Sequence, residues 1–157
     1  MGAAGNGYSI DSSSLIHCRH TYPIDVFPSL WQALDDLLTR NVLFAQEEVW
    51  NEVHRGTDPL TAWAASRKTG LCVPADAGQI AVMQRIAAAF PQANYTATTE
   101  HRADPWVVSL AVMRSLSVVS EERGTAQTFP RVPQMCAAFG VTHMHILDVM
   151  RAEGWSF

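Results

Sequence analysis

The sequence predicts an α/β fold in which helices cover both faces of a central parallel sheet. Short apolar segments alternate along the chain with longer segments whose apolar residues recur at helical spacing. The short segments are apolar on both sides, as expected of strands that are buried on both faces. The chain has 157 residues, of which 48% are hydrophobic and 17% charged, which is enough for one domain with its own core. We therefore expect a single domain over residues 1–157.

Polar and helix-breaking residues separate the elements in the first half of the chain. Ser12 and Ser13 follow the first strand, and their hydroxyls can cap the next helix. Pro28 suits the first turn of the second helix, which Asn41 ends. Asp58 can cap a later helix ahead of a proline. The predicted elements are a strand over 8–10, a helix from 12, a helix over 28–40, a strand over 42–45, a helix over 46–54 and a helix from 59 to near 70.

The second half continues the same alternation. Asp76 begins a long helix that Pro91 ends, and Pro105 lies at a tolerated first-turn position of another helix. Gly140 ends the short helix before the last strand. The predicted elements are a strand over 71–73, a helix over 76–90, a polar loop over 92–102, a helix over 104–114, a strand over 117–120, a polar loop over 121–131, a helix over 133–138, a strand over 141–145 and a final helix over 146–150.

Composition excludes several classes of protein. The net charge is −4, which argues against a protein that coats nucleic acid through a basic surface. The three cysteines are widely separated and form no Cys-x-x-Cys pair, as is typical of reduced thiols. No apolar run approaches the roughly 20 residues of a membrane helix. Residues 1–7 lack the basic start and apolar core of a signal peptide. We therefore expect a soluble, cytoplasmic protein.

Four acidic residues lie where strands end or helices begin. They are Asp11 after the first strand, Glu52 on the helix after the second strand, Asp104 at a helix start, and Glu122 after the strand over 117–120. Ligand sites in parallel α/β sheets lie at the carboxyl ends of the strands, so these side chains can converge. Carboxylates are the ligands that Mg²⁺ and Mn²⁺ prefer, and such ions promote phosphodiester hydrolysis. The pattern favours such a hydrolase, with the hydroxyl of Ser12 or Ser13 assisting.

Each acid also has a purely structural explanation. Asp11 and Asp104 can be helix N-caps, whereas Glu52 can be a solvated charge on a helix face. Glu122 can be a loop charge beside Arg123. On this interpretation the chain is a binding or regulatory module without catalytic activity.

Histidines suggest a third alternative. His143 and His145 lie on the same face of the last predicted strand, and a metal-independent hydrolase would use His143 or His101. No Gly-x-Ser-x-Gly, P-loop or Gly-x-Gly-x-x-Gly motif occurs.

The acidic segments resemble, in order, the motifs of PIN domains. They are Tyr8-Ser9-Ile10-Asp11-Ser12-Ser13, Val49-Trp50-Asn51-Glu52-Val53, Ala103-Asp104-Pro105-Trp106-Val107-Val108-Ser109-Leu110-Ala111 and Val118-Val119-Ser120-Glu121-Glu122. The stretches 22–28 and 55–63 add to the resemblance, which covers essentially the whole chain. It is closest to a PIN-like bacterial subfamily that is grouped with virulence-associated toxin ribonucleases.

The resemblance implies a three-layer α/β/α sandwich, Mg²⁺- or Mn²⁺-dependent cleavage of RNA, and a homodimer. Many PIN domains are toxins of type II toxin–antitoxin pairs, held inactive by a small protein antitoxin. The resemblance assigns the catalytic and metal-binding roles to Asp11, Glu52, Asp104 and Glu122, with support from Ser12, Ser13, Ser120 and Glu121. The fourth acid of the family is usually an aspartate two residues after a strand-ending Thr or Ser. Here Ser120 is followed by two glutamates, so Glu122 takes that position and Glu121 is the competing assignment.

Overall fold

The computed structural model describes residues 6–91, 103–123 and 131–157. Its centre is a five-stranded, all-parallel sheet in the order β3-β2-β1-β4-β5. The strands are β1 (Tyr8–Ile10), β2 (Leu43–Gln46), β3 (Cys72–Val73), β4 (Ser117–Val119) and β5 (His143–Met144). Helices flank the sheet, so the fold is a three-layer α/β/α sandwich, and the predicted fold class is confirmed.

Nine helices lie within these described ranges. They are α1 (Ser12–Thr21), α2 (Pro28–Thr39), α3 (Glu47–His54), α4 (Pro59–Ser66), α5 (Lys68–Leu71), α6 (Ala77–Ala89), α7 (Asp104–Arg114), α8 (Val132–Ala138) and α9 (Ile146–Ala152). Among them, none combines the length and the apolar character that crossing a membrane requires.

β1 is the middle strand, and all three of its residues are buried. Gly7, just before it, has φ +132, and a Cβ atom there would collide with the carbonyl oxygen of Val42. Glycine at this position therefore allows β1 to lie against the chain that enters β2. Ile10 is opposite Val119 in the parallel pair β1–β4. This register brings the residues that follow the two strands to the same point on the carboxyl edge of the sheet.

The predicted helix from 59 to near 70 is two helices in the structure. α4 ends at Ser66, and Arg67 adopts a non-helical backbone with φ −118 and ψ 13. The Arg67 guanidinium makes two hydrogen bonds to the Asp35 carboxylate, of which Nη2 to Oδ2 is 2.7 Å. The Trp63 indole also donates to Asp35. This bidentate contact to α2 accompanies the break, and the short α5 follows it.

The other differences concern the ends of elements. The predicted last strand over 141–145 is only two residues long, because β5 pairs with β4 only at His143 and Met144. The predicted loop over 92–102 lies outside the described residues, and so does most of the loop over 121–131. α8 begins at Val132, one residue before the predicted start.

Candidate metal centre

Three of the predicted acids meet at the carboxyl ends of β1 and β4. Asp11 directly follows β1, Glu122 is the third residue after β4, and Asp104 is the first residue of α7. The start of α7 is held against the sheet because the Ser9 hydroxyl of β1 donates to the Val107 carbonyl at 2.9 Å. The backbone N–H of Asp11 donates to the carbonyl oxygen of Val119 in β4 at 2.8 Å. Neighbouring strands and one helix start therefore deliver the three side chains to one place.

One carboxylate oxygen from each of Asp11, Asp104 and Glu122 lies within 4.8 Å of the other two. Asp11 is 4% exposed and Asp104 3% exposed, and the Glu122 side chain is largely buried. Three converging carboxylate oxygens suit a hard divalent cation, which needs few protein ligands when it keeps part of its water shell. Over 6–91, 103–123 and 131–157, no other group of three or more His, Cys, Asp or Glu residues meets the same distance. We call Asp11, Asp104 and Glu122 the acidic trio.

Burial opposes ionisation of the carboxyl groups in and beside the trio. It raises the pKa of Asp11 to about 6, although a hydrogen bond from Ser13 lowers it and the charge of Glu122 raises it further. Burial also raises the pKa of Asp104 well above its ordinary range, and the charges of Asp11 and Glu122 add to that effect. Ionising all of these neighbouring carboxyl groups in a low-dielectric site costs free energy, because the negative charges repel one another. A cation among them would remove this penalty, so the residues fit a divalent metal ion.

Ser12 and Ser13 bind the acids instead of capping a helix. The helix begins at Ser12 itself, with Asp11 at the N-cap position and no capping hydrogen bond from its side chain. The expectation that the two serines cap α1 is therefore wrong. The Ser13 hydroxyl donates to Asp11 Oδ2 at 2.7 Å and accepts from the Glu121 N–H at 3.1 Å. These two hydrogen bonds fix one oxygen of Asp11 and occupy the single donor of the Ser13 hydroxyl.

Glu52 lies beside the trio and not within it. The Ser12 hydroxyl donates to Glu52 Oε2 at 2.6 Å, which links α3 to the first turn of α1. Burial raises the pKa of Glu52 to about 7, and the charge of Asp11 contributes to the same direction. The charge of Glu52 in turn raises the pKa of Asp104. Glu52 is thus electrostatically coupled to the trio although its carboxylate does not meet the distance that defines it.

The two glutamates after β4 point to different partners. Glu121 Oε1 accepts from the N–H of Ile146, at the start of α9, at 2.8 Å and from the Ser14 hydroxyl at 3.2 Å. Glu122 Oε2 accepts from the N–H of Val132, at the start of α8, at 2.9 Å, and its carboxylate belongs to the trio. Glu121 therefore joins α1 to α9, whereas Glu122 faces Asp11 and Asp104.

The segment that carries these glutamates also contacts two histidines. Ser120 Oγ lies 3.0 Å from His143 Nε2 and accepts from the Glu122 N–H at 3.2 Å. His145 Nε2 lies 3.3 Å from the Glu122 carbonyl oxygen. Burial lowers the pKa of His143, and the neighbouring imidazole of His145 lowers it further. His101, the other histidine considered for hydrolysis, lies outside the described residues.

Two arginines beside the acids were not singled out by the sequence. Arg131 Nε is 3.9 Å from Glu122 Oε1, and the charge of Arg131 lowers the pKa of Asp104. The charge of Arg55, just after α3, lowers the pKa of Glu52. In the sequence, Arg131 lies two residues before Pro133, at the expected start of a helix, and this position is the only indication that its side chain is held in place. The expected neighbour of Glu122, Arg123, makes no ion pair to it among the contacts that the described residues show.

Comparison with known proteins gives a family without an assigned activity. No curated protein sequence matches the chain. A family model described as "Domain of unknown function (DUF4411)" matches residues 8–157, which include the acidic trio and Glu52. The chain belongs to the DUF4411 family.

Proposed function

We propose that this protein is a Mg²⁺- or Mn²⁺-dependent endoribonuclease of PIN type. The observation that carries the proposal is the convergence of the acidic trio within 4.8 Å at the carboxyl edge of a parallel sheet. The four ordered acidic motifs that resemble PIN domains support it. In this proposal Asp11, Asp104 and Glu122 hold the metal.

The residues around the metal have separate tasks in this proposal. The bound ion would make a water more acidic and offset the charge that develops on the phosphate. Ser13 orients Asp11 through the hydrogen bond to Oδ2. Burial raises the pKa of Glu52 to about 7 in the metal-free protein, and a bound cation would lower it, so Glu52 would be ionised near neutral pH and able to take a proton from water. Ser12 donates to Oε2 of Glu52, which would hold the carboxylate in one orientation.

RNA would reach the site through arginines and not through a basic surface. The net charge of −4 makes general attraction of RNA weak. Arg131 Nε lies 3.9 Å from Glu122 Oε1, and the charge of Arg55 acts on Glu52, so these two arginines are the candidates for contacts to the RNA phosphates. Guanidinium groups bind phosphate oxygens in a bidentate manner, which would hold the RNA backbone in register.

The partners follow from the same resemblance. We propose that the protein is the toxin of a type II toxin–antitoxin pair, that it forms a homodimer, and that a small protein antitoxin inhibits it. An antitoxin peptide that carries an arginine would pair with the acidic trio and block metal binding. Co-purification of a small protein encoded next to this one, with loss of RNA cleavage in the complex, is the expected result.

Cleavage of RNA in the presence of Mn²⁺ tests the function. We expect the wild type to cleave, and we expect excess chelator, Asp11→Asn or Asp104→Asn to abolish cleavage. Asp25→Asn, which changes an exposed acid of the same type, is the matched control and should leave cleavage intact.

Three outcomes would contradict the proposal in different ways. Equal cleavage by the wild type and both trio variants would refute a role for the trio. Cleavage that persists in excess chelator would favour a metal-independent hydrolase that uses His143. Folded wild-type protein that neither cleaves RNA nor binds Mn²⁺ would favour a non-catalytic binding module.

A further inference from the structure

We infer that His143 is a positioning residue for Glu122, acting through the buried hydroxyl of Ser120. The inference rests on the proposed metal site, since it concerns how one of the three ligands is held. His143 belongs to β5, at the edge of the sheet, and it does not belong to the acidic trio. We call residues 120–122 the Glu122 arm.

A continuous chain of hydrogen bonds leads from His143 to the backbone of Glu122. His143 Nε2 lies 3.0 Å from Ser120 Oγ, a contact in which either group can donate. Ser120 Oγ accepts from the Glu122 N–H at 3.2 Å. A hydroxyl that accepts one hydrogen bond is oriented best when a second partner fixes its rotation. His143 supplies that second partner.

Ser120 is suited to orienting the arm and not to attacking a substrate. Its side chain is 0% exposed, so a phosphodiester cannot reach the hydroxyl. The backbone N–H of Ser120 also donates to the Met144 carbonyl of β5 at 3.0 Å, which extends the β4–β5 pairing past the end of the strand. The contact between Ser120 and His143 therefore fixes the Glu122 arm to the edge of the sheet.

Further contacts hold the same arm. His145 Nε2 lies 3.3 Å from the Glu122 carbonyl oxygen, which can only accept, so the N–H is on that ring nitrogen. The Val132 N–H donates to Glu122 Oε2 at 2.9 Å. The rings of His143 and His145 are edge to face, with centroids 5.2 Å apart. Loss of the His143 ring would therefore loosen both imidazole contacts to the arm.

The two glutamates of the arm have different partners. Glu121 accepts from the N–H at the start of α9, whereas Glu122 accepts from the N–H at the start of α8 and faces Asp11 and Asp104. The contacts of Ser120 hold the backbone that carries both side chains. Groups that orient a metal ligand typically change affinity or activity by about 10–100-fold when they are removed. We place His143 in that role for Glu122.

The test compares His143→Phe, His143→Gln and the control His17→Phe. Phenylalanine keeps the ring and removes the hydrogen bond, whereas glutamine places an amide near the former Nε2 position. His17 is half-buried like His143, and its hydrogen bond is to Thr21 within α1. For each variant we would measure the Mn²⁺ dissociation constant by calorimetry, the kcat and KM for RNA cleavage, and hydrogen exchange of the Glu122 N–H.

We expect His143→Phe to weaken Mn²⁺ binding by about 10-fold or more, to lower kcat with little change in KM, and to speed exchange of the Glu122 N–H. We expect His143→Gln to restore Mn²⁺ affinity to within about threefold of wild type, and His17→Phe to change none of the three.

Failure of this inference is distinguishable from failure of the proposed function. If the wild type binds Mn²⁺ and His143→Phe binds it equally tightly, with unchanged exchange at Glu122, the positioning role is wrong and the metal site stands. If the wild type binds no Mn²⁺, the proposed function is wrong, and the exchange of the Glu122 N–H still decides whether His143 holds the arm. Equal weakening by His143→Phe and His143→Gln would overturn the role of the hydrogen bond.

Discussion

Replacing Asp11 by asparagine should stabilise the metal-free protein at pH 8. Burial raises the folded-state pKa of Asp11 from its ordinary 3.8 to about 6. The unfolded chain therefore ionises this carboxyl more readily than the folded protein does. The contribution of Asp11 to the free energy of unfolding is fully present below pH 4, is lost as the pH rises from about 4 to about 6, and stays absent above that range.

The cost follows from the two pKa values. Each pKa step corresponds to about 1.4 kcal/mol, so ionised Asp11 lowers the free energy of unfolding by about 3 kcal/mol at pH 8. At pH 5 the same calculation gives about 1.5 kcal/mol. Asparagine carries no charge, has nearly the same shape, and can still accept the hydrogen bond from Ser13. A gain of 3 kcal/mol would raise the melting temperature by about 6–12 °C for a domain of this size.

Urea denaturation of wild type and Asp11→Asn at pH 5 and pH 8, with and without Mn²⁺, measures this directly. We expect the advantage of Asp11→Asn to grow with pH in the metal-free protein. A ligand at 100 times its dissociation constant stabilises by about 2.7 kcal/mol, and the wild type should gain this while Asp11→Asn gains less. The exposed-site control Asp25→Asn should respond to neither pH nor Mn²⁺ differently from wild type. Destabilisation of Asp11→Asn at pH 8 without metal, or equal gains from Mn²⁺, would refute the reasoning.

Three further predictions concern the site and its surroundings. Glu122→Gln should weaken Mn²⁺ binding by about 10-fold or more, whereas Glu121→Gln should leave it within about threefold, because only Glu122 belongs to the trio. Calorimetric titration measures both affinities. Weaker binding by Glu121→Gln than by Glu122→Gln would contradict the geometry. Mn²⁺ affinity should increase from pH 5.5 to pH 8, and binding should release protons, because burial raises the pKa of the carboxyl groups that must ionise. Calorimetry in buffers of different ionisation enthalpy measures the number of protons released. Mn²⁺ affinity that does not change with pH would argue against this prediction. Asp35→Ala should lower the free energy of unfolding by about 1–3 kcal/mol, because it removes the hydrogen-bond partner of Arg67 and Trp63. It should not change Mn²⁺ affinity. Urea denaturation measures the first effect and calorimetric titration with Mn²⁺ the second.

The sequence was sufficient for the layered fold because its signals are periodic. Short segments that are apolar on both sides require cover on both faces, and their alternation with helices predicts a parallel sheet. Asp11 could be placed at a strand end because the apolar run stops at Ile10. Asp104 could be placed at a helix start because Pro105 follows it, although Ala103 holds the N-cap position.

What the sequence could not supply depends on contacts between distant segments. Glu121 and Glu122 are alike as residues, and their directions are set by the N–H groups at the starts of α9 and α8. The serines after Asp11 are common capping residues, and only the approach of Glu52 and Glu121 shows their other use. The break at Arg67 likewise accompanies a pairing with Asp35, which is 32 residues away. No local pattern encodes these pairings.

The most direct test of the acidic trio as a metal centre is diffraction from crystals soaked in Mn²⁺, recorded near the manganese absorption edge. We expect an anomalous peak from a manganese ion that is bound by carboxylate oxygens of Asp11, Asp104 and Glu122. We expect Glu121 to keep its hydrogen bond from the N–H at the start of α9. A peak that is absent at saturating Mn²⁺, or that lies only at other side chains, would contradict the account.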